Sequence, residues 1–471
     1  MEYKKRIIDD VLNLKLESFG ATLIVGPKGC GKTTSAKQKA KSVLEFQDEN
    51  IRDNILAVAN TAPSNLLIGE NPRLFDEWQD APKLWGAIRK SVDDRGENGL
   101  YILTGSSSQN VEKPHTGTLR ISQLKMYPMS LYESSESNGT VSLMDLFNKP
   151  DSFEGCVSTL NINNLIFAIC RGGWPQSIRN KTDRSKLEVA KDLFMQTYSI
   201  DISNIYGVER NPLLAQAILQ SYSRNICTLA STSTINSDVS TNYEVSRPTL
   251  DSYIRALEKL YIIEDIDAWS PAIRSKASIR ASQKRNFIDP SIAVAAMGLS
   301  PEYFNTDFKT LGFLFESLCI RDLKVYSSKF DGKVSYYHDR YNLEADAVLH
   351  LNDGRYALIE FKLGESEINE GAKHLNQIEG LIFEHNNEKS NQQCPIAPPT
   401  LKIIITGTQY GYKREETDAP YLTPAPYRGK RNEPAFIPFV IAKLAEIYER
   451  TPEEIGEITS QTARKVFKIE V

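Results

Sequence analysis

Residues 26–33, Gly26-Pro27-Lys28-Gly29-Cys30-Gly31-Lys32-Thr33, have the types and spacing that phosphate chemistry requires. The run reads G-x-x-x-x-G-K-[ST] without a gap and follows the apolar stretch Ala21-Thr22-Leu23-Ile24-Val25. Glycines let main-chain N–H groups converge on an anion with no Cβ in the way. A helix after the loop would point the positive end of its dipole at the same anion. Lys32 would neutralise β/γ-phosphates and the Thr33 hydroxyl would ligate Mg²⁺. Gly26, Pro27, Lys28, Gly29, Cys30, Gly31, Lys32, Thr33 and Thr34 are the candidate nucleotide-binding residues, with ATP and Mg²⁺ as cofactors.

Hydrolysis needs a second metal-holding carboxylate and a group that orients water. Pro72-Arg73-Leu74-Phe75-Asp76-Glu77-Trp78-Gln79 offers both. Asp76 would reach the Mg²⁺, directly or through water, and Glu77 would act as general base. The alternative is an exposed acidic pair at a strand end. A further strand, Leu100–Ser106, ends in hydroxyl residues. In a parallel sheet that end faces the ligand crevice, so Thr104 or Ser106 would sense the γ-phosphate, unless Thr-Gly-Ser merely turns the chain. Leu84, Trp85, Ile88 and Val92 have helical spacing. Strand, loop, helix, strand, helix, strand is the order of an α/β domain with a parallel sheet.

A second chemistry appears in Leu343-Glu344-Ala345-Asp346-Ala347-Val348-Leu349 and Ala357-Leu358-Ile359-Glu360-Phe361-Lys362, joined through Asp353-Gly354. Two alternating strands around Asp-Gly read as a hairpin. Period two places Glu344 with Asp346, and Glu360 with Lys362, with Ile359 and Phe361 turned to the core. The pattern D-x₁₃-E-x-K resembles the restriction-endonuclease-like superfamily. That resemblance makes Asp346 and Glu360 metal ligands and Lys362 a catalytic residue, with Glu316, in the helix expected at Leu311–Leu323, as an upstream acid. A helix over Ile368–Phe383 and a strand over Leu401–Thr406 complete that expectation.

Between the two lie a Ser/Asn/Thr/Gly-rich linker over 134–160 with a short helix at Leu143–Phe147, then helical patterns at Lys186–Tyr198 and Pro212–Asn225. Arg171-Gly172-Gly173-Trp174-Pro175 reads as a packed corner without chemistry. Ser246 caps and Pro248 opens a helix whose stripe is Leu250, Ile254, Leu257 and Tyr261. With a strand over Tyr261–Ile266 this makes a winged helix-turn-helix. Arg247, Arg255 and Lys259 would meet DNA there. The competing reading is a docking module, because Asp251 and Glu258 share that face and repel phosphate. The segment after about residue 390 reads as loop. Its Tyr/Arg-rich pieces, 409–414 and 424–431, are either a single-strand stacking surface or ordinary surface loops.

The chain has 471 residues, 41% hydrophobic and 25% charged, with net charge −4. It is ordinary globular composition with no global basic field. Neither a leader-like apolar run nor a membrane-length segment is present in the sequence, and the scattered cysteines form no C-x-x-C pair. A cytoplasmic location is expected, with Cys30 a tolerated small residue rather than a redox sensor.

Leu74–Gln79, Leu103–Ser106, His115-Thr116-Gly117-Thr118-Leu119-Arg120 and Met126–Glu133 together resemble a prokaryotic AAA-type ATPase family with a C-terminal domain of unknown function, from about residue 18 to about residue 370. The resemblance implies that Arg120 contacts phosphate, as a sensor or as a finger offered to a neighbouring subunit, and it implies the nuclease-like fold for the C-terminal part. The expected organisation is an AAA-type P-loop ATPase domain over 1–135, a linker and helical segment over 136–200, a helical/winged-helix domain over 201–275 and a nuclease-like α/β domain with a C-terminal extension over 276–471. The expected function is Mg²⁺-dependent ATP hydrolysis coupled to a domain acting on DNA or RNA. The alternative is a nucleotide-dependent switch that binds a protein partner through an inert nuclease-like domain. Oligomerisation is compatible with both.

Overall fold

The computed structural model describes residues 3–105, 117–205, 208–271, 282–339, 343–388, 395–414, 437–448 and 450–467. Strands β1 Ala21–Val25, β2 Ser42–Glu45, β3 Arg73–Asp76, β4 Tyr101–Thr104 and β5 Ile121–Lys125 form one sheet in the order β2-β3-β4-β1-β5. Every pairing in it is parallel. Ile24, Leu74 and Ile102 enter one apolar cluster while Leu23, Phe75 and Leu103 enter another, so both faces of the central strands are covered. Burial on both faces is why these strands read as continuous apolar runs. The expected helix appears as Leu84–Arg95, with Leu84, Trp85 and Ile88 buried. Neither β2 nor β5 stood out in the sequence. Both are edge strands, and their half-exposed, polar-mixed residues carry little periodic signal.

The middle contains helices Ile162–Arg171, Asp183–Gln196, Pro212–Arg224, Thr232–Ser240 and Arg247–Lys259. Ser246 caps the last, and Leu250, Ile254 and Leu257 are buried. The strand expected over Tyr261–Ile266 is absent. Isolated antiparallel bridges join Ile263 to Phe287 and Ile266 to Lys284 instead. The ladder is interrupted because the Asn286 amide donates to the Asp265 carboxylate at 3.1 Å. A short strand, β6 Cys156–Val157, pairs antiparallel with Tyr410–Gly411, so part of the segment expected to be a free loop is tied down.

The helix Phe308–Ser327 precedes β7 Lys333–His338, β8 Glu344–His350 and β9 Tyr356–Lys362, and the helix Ile368–Asn387 leads to β10 Leu401–Thr406. The order is β10-β9-β8-β7, antiparallel except for the parallel β9–β10 pair. Gly354, at φ +91°, makes the expected hairpin turn. One apolar cluster runs from Ile8 through Trp174, Leu257 and Leu314 to Phe361. The divisions expected near residues 135, 200 and 275 are therefore changes of architecture inside one compact unit, Met1–Gly411.

Tyr412–Val471, within the expected C-terminal extension, forms a compact unit of its own. It is not all loop: helices Ile437–Ile447 and Pro452–Phe467 pack on each other. Thr451 and Glu454 cap the second reciprocally, with Glu454 N on Thr451 Oγ1 at 3.2 Å and Thr451 N on the Glu454 carboxylate at 3.0 Å. Residues 424–431 of the Tyr/Arg-rich stretches lie outside the described residues. No helix among the described residues is long and apolar enough to cross a membrane.

Candidate active site

The loop 26–31 leaves the carboxyl end of β1, next to the ends of β3 and β4. Gly26, Gly29 and Gly31 have φ +150°, +75° and +102°. A Cβ on Gly26 would lie 2.2 Å from the Met126 carbonyl oxygen, so the close approach of the chain just after β5 also requires glycine. Gly29 and Thr34 are exposed, and nothing lies within 4 Å of the space a Gly29 Cβ would fill. The helix that follows, Lys32–Lys37, has six residues. Lys32 is buried and folded back on the loop, donating to Gly26 O at 3.0 Å and Pro27 O at 2.9 Å. Cys30 is fully buried, consistent with a packing role.

Thr33 Oγ1 donates to Asp76 Oδ1 at 2.6 Å, and Thr104 Oγ1 donates to the same oxygen. This follows from topology: Asp76 and Thr104 are register partners on β3 and β4, and Ile24 of β1 is beside Thr104. A hydroxyl and a carboxylate brought together at the loop are oxygen donors of the kind Mg²⁺ takes. Thr104 is 1% exposed and its hydroxyl donates to Asp76, so it orients that carboxylate. Ser106 lies outside the described residues. Glu77 sits at φ +57°, an uncommon conformation for a side chain with a Cβ, and accepts from the Gln79 amide. Gly105 makes room for that glutamine, since a Cβ there would meet Gln79 Oε1 at 2.2 Å.

Arg120 does not reach this site within its own chain. Its carbonyl accepts from Ala21 N at 3.0 Å, at the amino end of β1. The loop leaves the opposite end, about 16 Å away at 3.3 Å per residue. The guanidinium pairs instead with Asp93 at 2.7 Å and is 41% exposed. Two contacts escaped the sequence. Arg6, which reads only as one of several N-terminal basic residues, is buried and donates to Cys30 O at 3.0 Å and Tyr127 O at 2.8 Å, with Glu133 3.0 Å from its Nε. Lys28 pairs with Asp201, a buried residue of the π-helical turn Thr197–Asp201. No local pattern marks either one.

In the C-terminal sheet, Glu344, Asp346, Glu360 and Lys362 do converge. Continuing the β8–β9 register past Ala347–Ile359 places Asp346 opposite Glu360. Strict alternation fails in β8, however. Ser335 pairs with Val348 but Tyr337 with Ala345, so β8 has one extra residue there. Accordingly Ala345 joins the cluster beneath helix Ile368–Asn387, while Ala347 joins the one shared with helix Phe308–Ser327. Such a bulge re-aims side chains. Asp346 accepts from Phe361 N at 2.8 Å, and Lys362 is 2.9 Å from Glu360. His374 Nδ1 is 3.8 Å from Glu360. Burial, then the Asp346 charge, pushes the Glu360 carboxyl up to about 7, and burial pushes Asp346 up. Burial pushes Glu316 up to about 8 against the pull of Lys284.

Lys284 was not foreseen. Its ammonium lies 2.8 Å from Glu316 and 2.6 Å from Glu344. Among the described residues no group of three or more His, Cys, Asp or Glu is arranged to hold a metal ion. One oxygen of each expected metal ligand is engaged, Asp346 Oδ2 by the Phe361 amide and Glu360 Oε2 by the Lys362 ammonium.

Four family models match parts of the chain: an AAA domain over 18–135, domains of unknown function DUF8612 over 162–303 and DUF4143 over 311–420, and TatD related DNase over 415–468. The AAA domain match covers the module that holds the parallel sheet and the loop 26–31. The terminal segment is similar to the metal-dependent hydrolase YabD of Bacillus subtilis, 52% identical over 54 residues that make up 12% of this chain and 21% of that one. It is similar also to TatD of Mycobacterium tuberculosis, 52% identical over 52 residues, 11% of this chain and 20% of that one. The chain spans about a fifth of the length of these curated relatives. Among solved structures, a Walker-type ATPase of Pyrococcus abyssi aligns at 15% identity and TM-score 0.39, covering 62% of this chain and 96% of that one.

Proposed function

We propose that this chain is a Mg²⁺-dependent ATPase whose nucleotide state is transmitted to its C-terminal α/β domain. The observation that carries the reading is the meeting of Thr33, Asp76 and the loop of Lys32 at one sheet edge. Loop amides and Lys32 would bind the triphosphate, with Lys32 exchanging the Gly26 and Pro27 carbonyls for phosphate oxygens. Thr33 and Asp76 would hold Mg²⁺, which when bound neutralises charge between the β- and γ-phosphates. Glu77 would orient water in line with the γ-phosphorus and accept its proton, while the Gln79 amide fixes the carboxylate. Arg120, exposed at the far edge, would act only in trans, on the nucleotide of a neighbouring copy.

Transmission has a physical route: Asp201 touches Lys28 of the loop, and the modules share one apolar cluster. The strand order of β7–β10, with helices before and after, supports a restriction-endonuclease-like fold and hence DNA or RNA as the partner. The second reading, a switch that binds a protein through an inert nuclease-like domain, is favoured by how the acidic cluster is paired. ATP turnover measured alone and with single-stranded DNA, duplex DNA and RNA separates them. Stimulation by a nucleic acid supports the first, and an unchanged rate with each supports the second. No turnover at all refutes the ATPase reading.

A further inference from the structure

Lys284 is 2% exposed, at a position where an unneutralised ammonium would be costly to bury. Its main chain is fixed from both sides, Lys284 N on Ile266 O at 3.0 Å and Ile266 N on Lys284 O at 2.8 Å. Its Nζ lies 5.5 Å from the centre of the Tyr336 ring, an additional cation-stabilising contact. The side chain thus enters the acidic cluster from the middle of the chain and bridges an acid of helix Phe308–Ser327 with one of β8. Divalent metals need carboxylate oxygens directed at one point, and a fixed ammonium bridging two of the acids competes for that point.

We propose that Lys284 is the resident cation of this cluster: its buried ammonium, bridging Glu316 and Glu344, takes the place a divalent metal would need and keeps the nuclease-like face metal-free. The proposal gives the second reading above a physical basis and is independent of ATP hydrolysis. It explains how four carboxylates, Glu316, Glu344, Asp346 and Glu360, coexist in one partly buried site. Lys284 compensates the side of helix Phe308–Ser327 and Lys362 compensates Glu360.

Mn²⁺ binding to the full chain, followed by electron paramagnetic resonance without nucleotide, tests it. An Asp76→Asn background silences the metal position at the P-loop. On that background, adding Lys284→Met is expected to strengthen Mn²⁺ binding by at least about tenfold. Adding Asp346→Asn to that pair is expected to abolish the gained site. Equal Mn²⁺ affinity with and without Lys284 overturns the proposal. If Lys284→Met does not fold, Lys284→Met/Glu316→Gln decides, since it removes both members of the buried pair at similar volume. That variant is expected to fold and to gain Mn²⁺ affinity through Glu344 and Asp346. Its failure to fold, or to gain affinity, overturns the proposal, because neutralisation would then not be what the lysine supplies. None of these readouts depends on ATP turnover, so the ATPase reading stands or falls separately.

Discussion

Asp289→Ala probes the junction through which the modules share a core. Asp289 is fully buried and its carboxylate takes four donors: Gly173 N at 2.9 Å, Ser291 N at 3.0 Å, Ser291 Oγ at 2.6 Å and Arg321 Nη1 at 2.7 Å. Arg321 is also buried and pairs with Asp322, which accepts from Leu131 N at 3.0 Å. The network therefore links the segment after β5, the corner at Gly173 and the helix Phe308–Ser327. Removing one partner of a buried ion pair costs about 3–5 kcal/mol. Each main-chain donor left without an acceptor adds about 1–3 kcal/mol, less than additively because the donors share one group. The expected loss is about 5 kcal/mol, against a total of about 5–15 kcal/mol for a folded domain. Asp289→Asn, which keeps an acceptor oxygen and the volume, is expected to lose less. Urea unfolding followed by tryptophan fluorescence reads this directly, since Trp174 is 1% exposed and donates to Ser291 Oγ at 3.0 Å. A loss below about 1 kcal/mol, the value of a solvated pair, refutes the reasoning.

Glu77→Gln is expected to lower kcat by about 10²- to 10⁴-fold while leaving ATP affinity near native, and equal losses of binding and turnover would remove its assignment as base. Gly26→Ala, whose Cβ would sit 2.2 Å from Met126 O at φ +150°, is expected to lower Tm and ATP affinity together, checked by thermal denaturation and calorimetry. Stability should also depend on pH through Glu316. Its folded pKa, about 8, lies above the ordinary 4.5, so the folded state binds the proton more tightly. Its contribution is fully present below about pH 4.5 and is lost as pH rises through about 8, with a slope of up to about 1.4 kcal/mol per pH unit. Urea titrations across that range should therefore show a flatter profile for Glu316→Gln than for the native chain, and parallel profiles contradict the assignment.

The phosphate loop was legible because its chemistry is local: glycines, Lys32 and Thr33 are neighbours in the chain, and an apolar strand leads in. Asp76 was legible for a related reason, since parallel strands bring their carboxyl ends to one edge. The β8–β9 hairpin was announced by Asp353-Gly354 between alternating runs. What stayed hidden depends on contacts distant in sequence. Arg6 braces Cys30, Asp201 meets Lys28, Lys284 joins Glu316 to Glu344, and Asp289 gathers Gly173 and Arg321, none of them at a periodic spacing. The bulge in β8 defeated the period-two rule because only strand pairing exposes an extra residue. Arg120 looked close to phosphate by its place in a motif, while the parallel register puts it at the other end of the sheet. The two terminal helices were readable in principle: Thr451-x-x-Glu454 before an amphipathic run is a capping box, obscured by the Tyr/Arg-rich stretch ahead of it.

In the proposed ATPase, the loop at the end of β1 grips a triphosphate through its amides and one ammonium. Lys32→Ala measures this most directly, because Lys32 already lies folded on that loop, 3.0 Å from Gly26 O and 2.9 Å from Pro27 O. Calorimetric titration with ATP and Mg²⁺ is expected to give an affinity at least about tenfold weaker, with turnover lost, while the fold is retained. A Lys32→Ala protein that binds and hydrolyses ATP like the native chain contradicts the account.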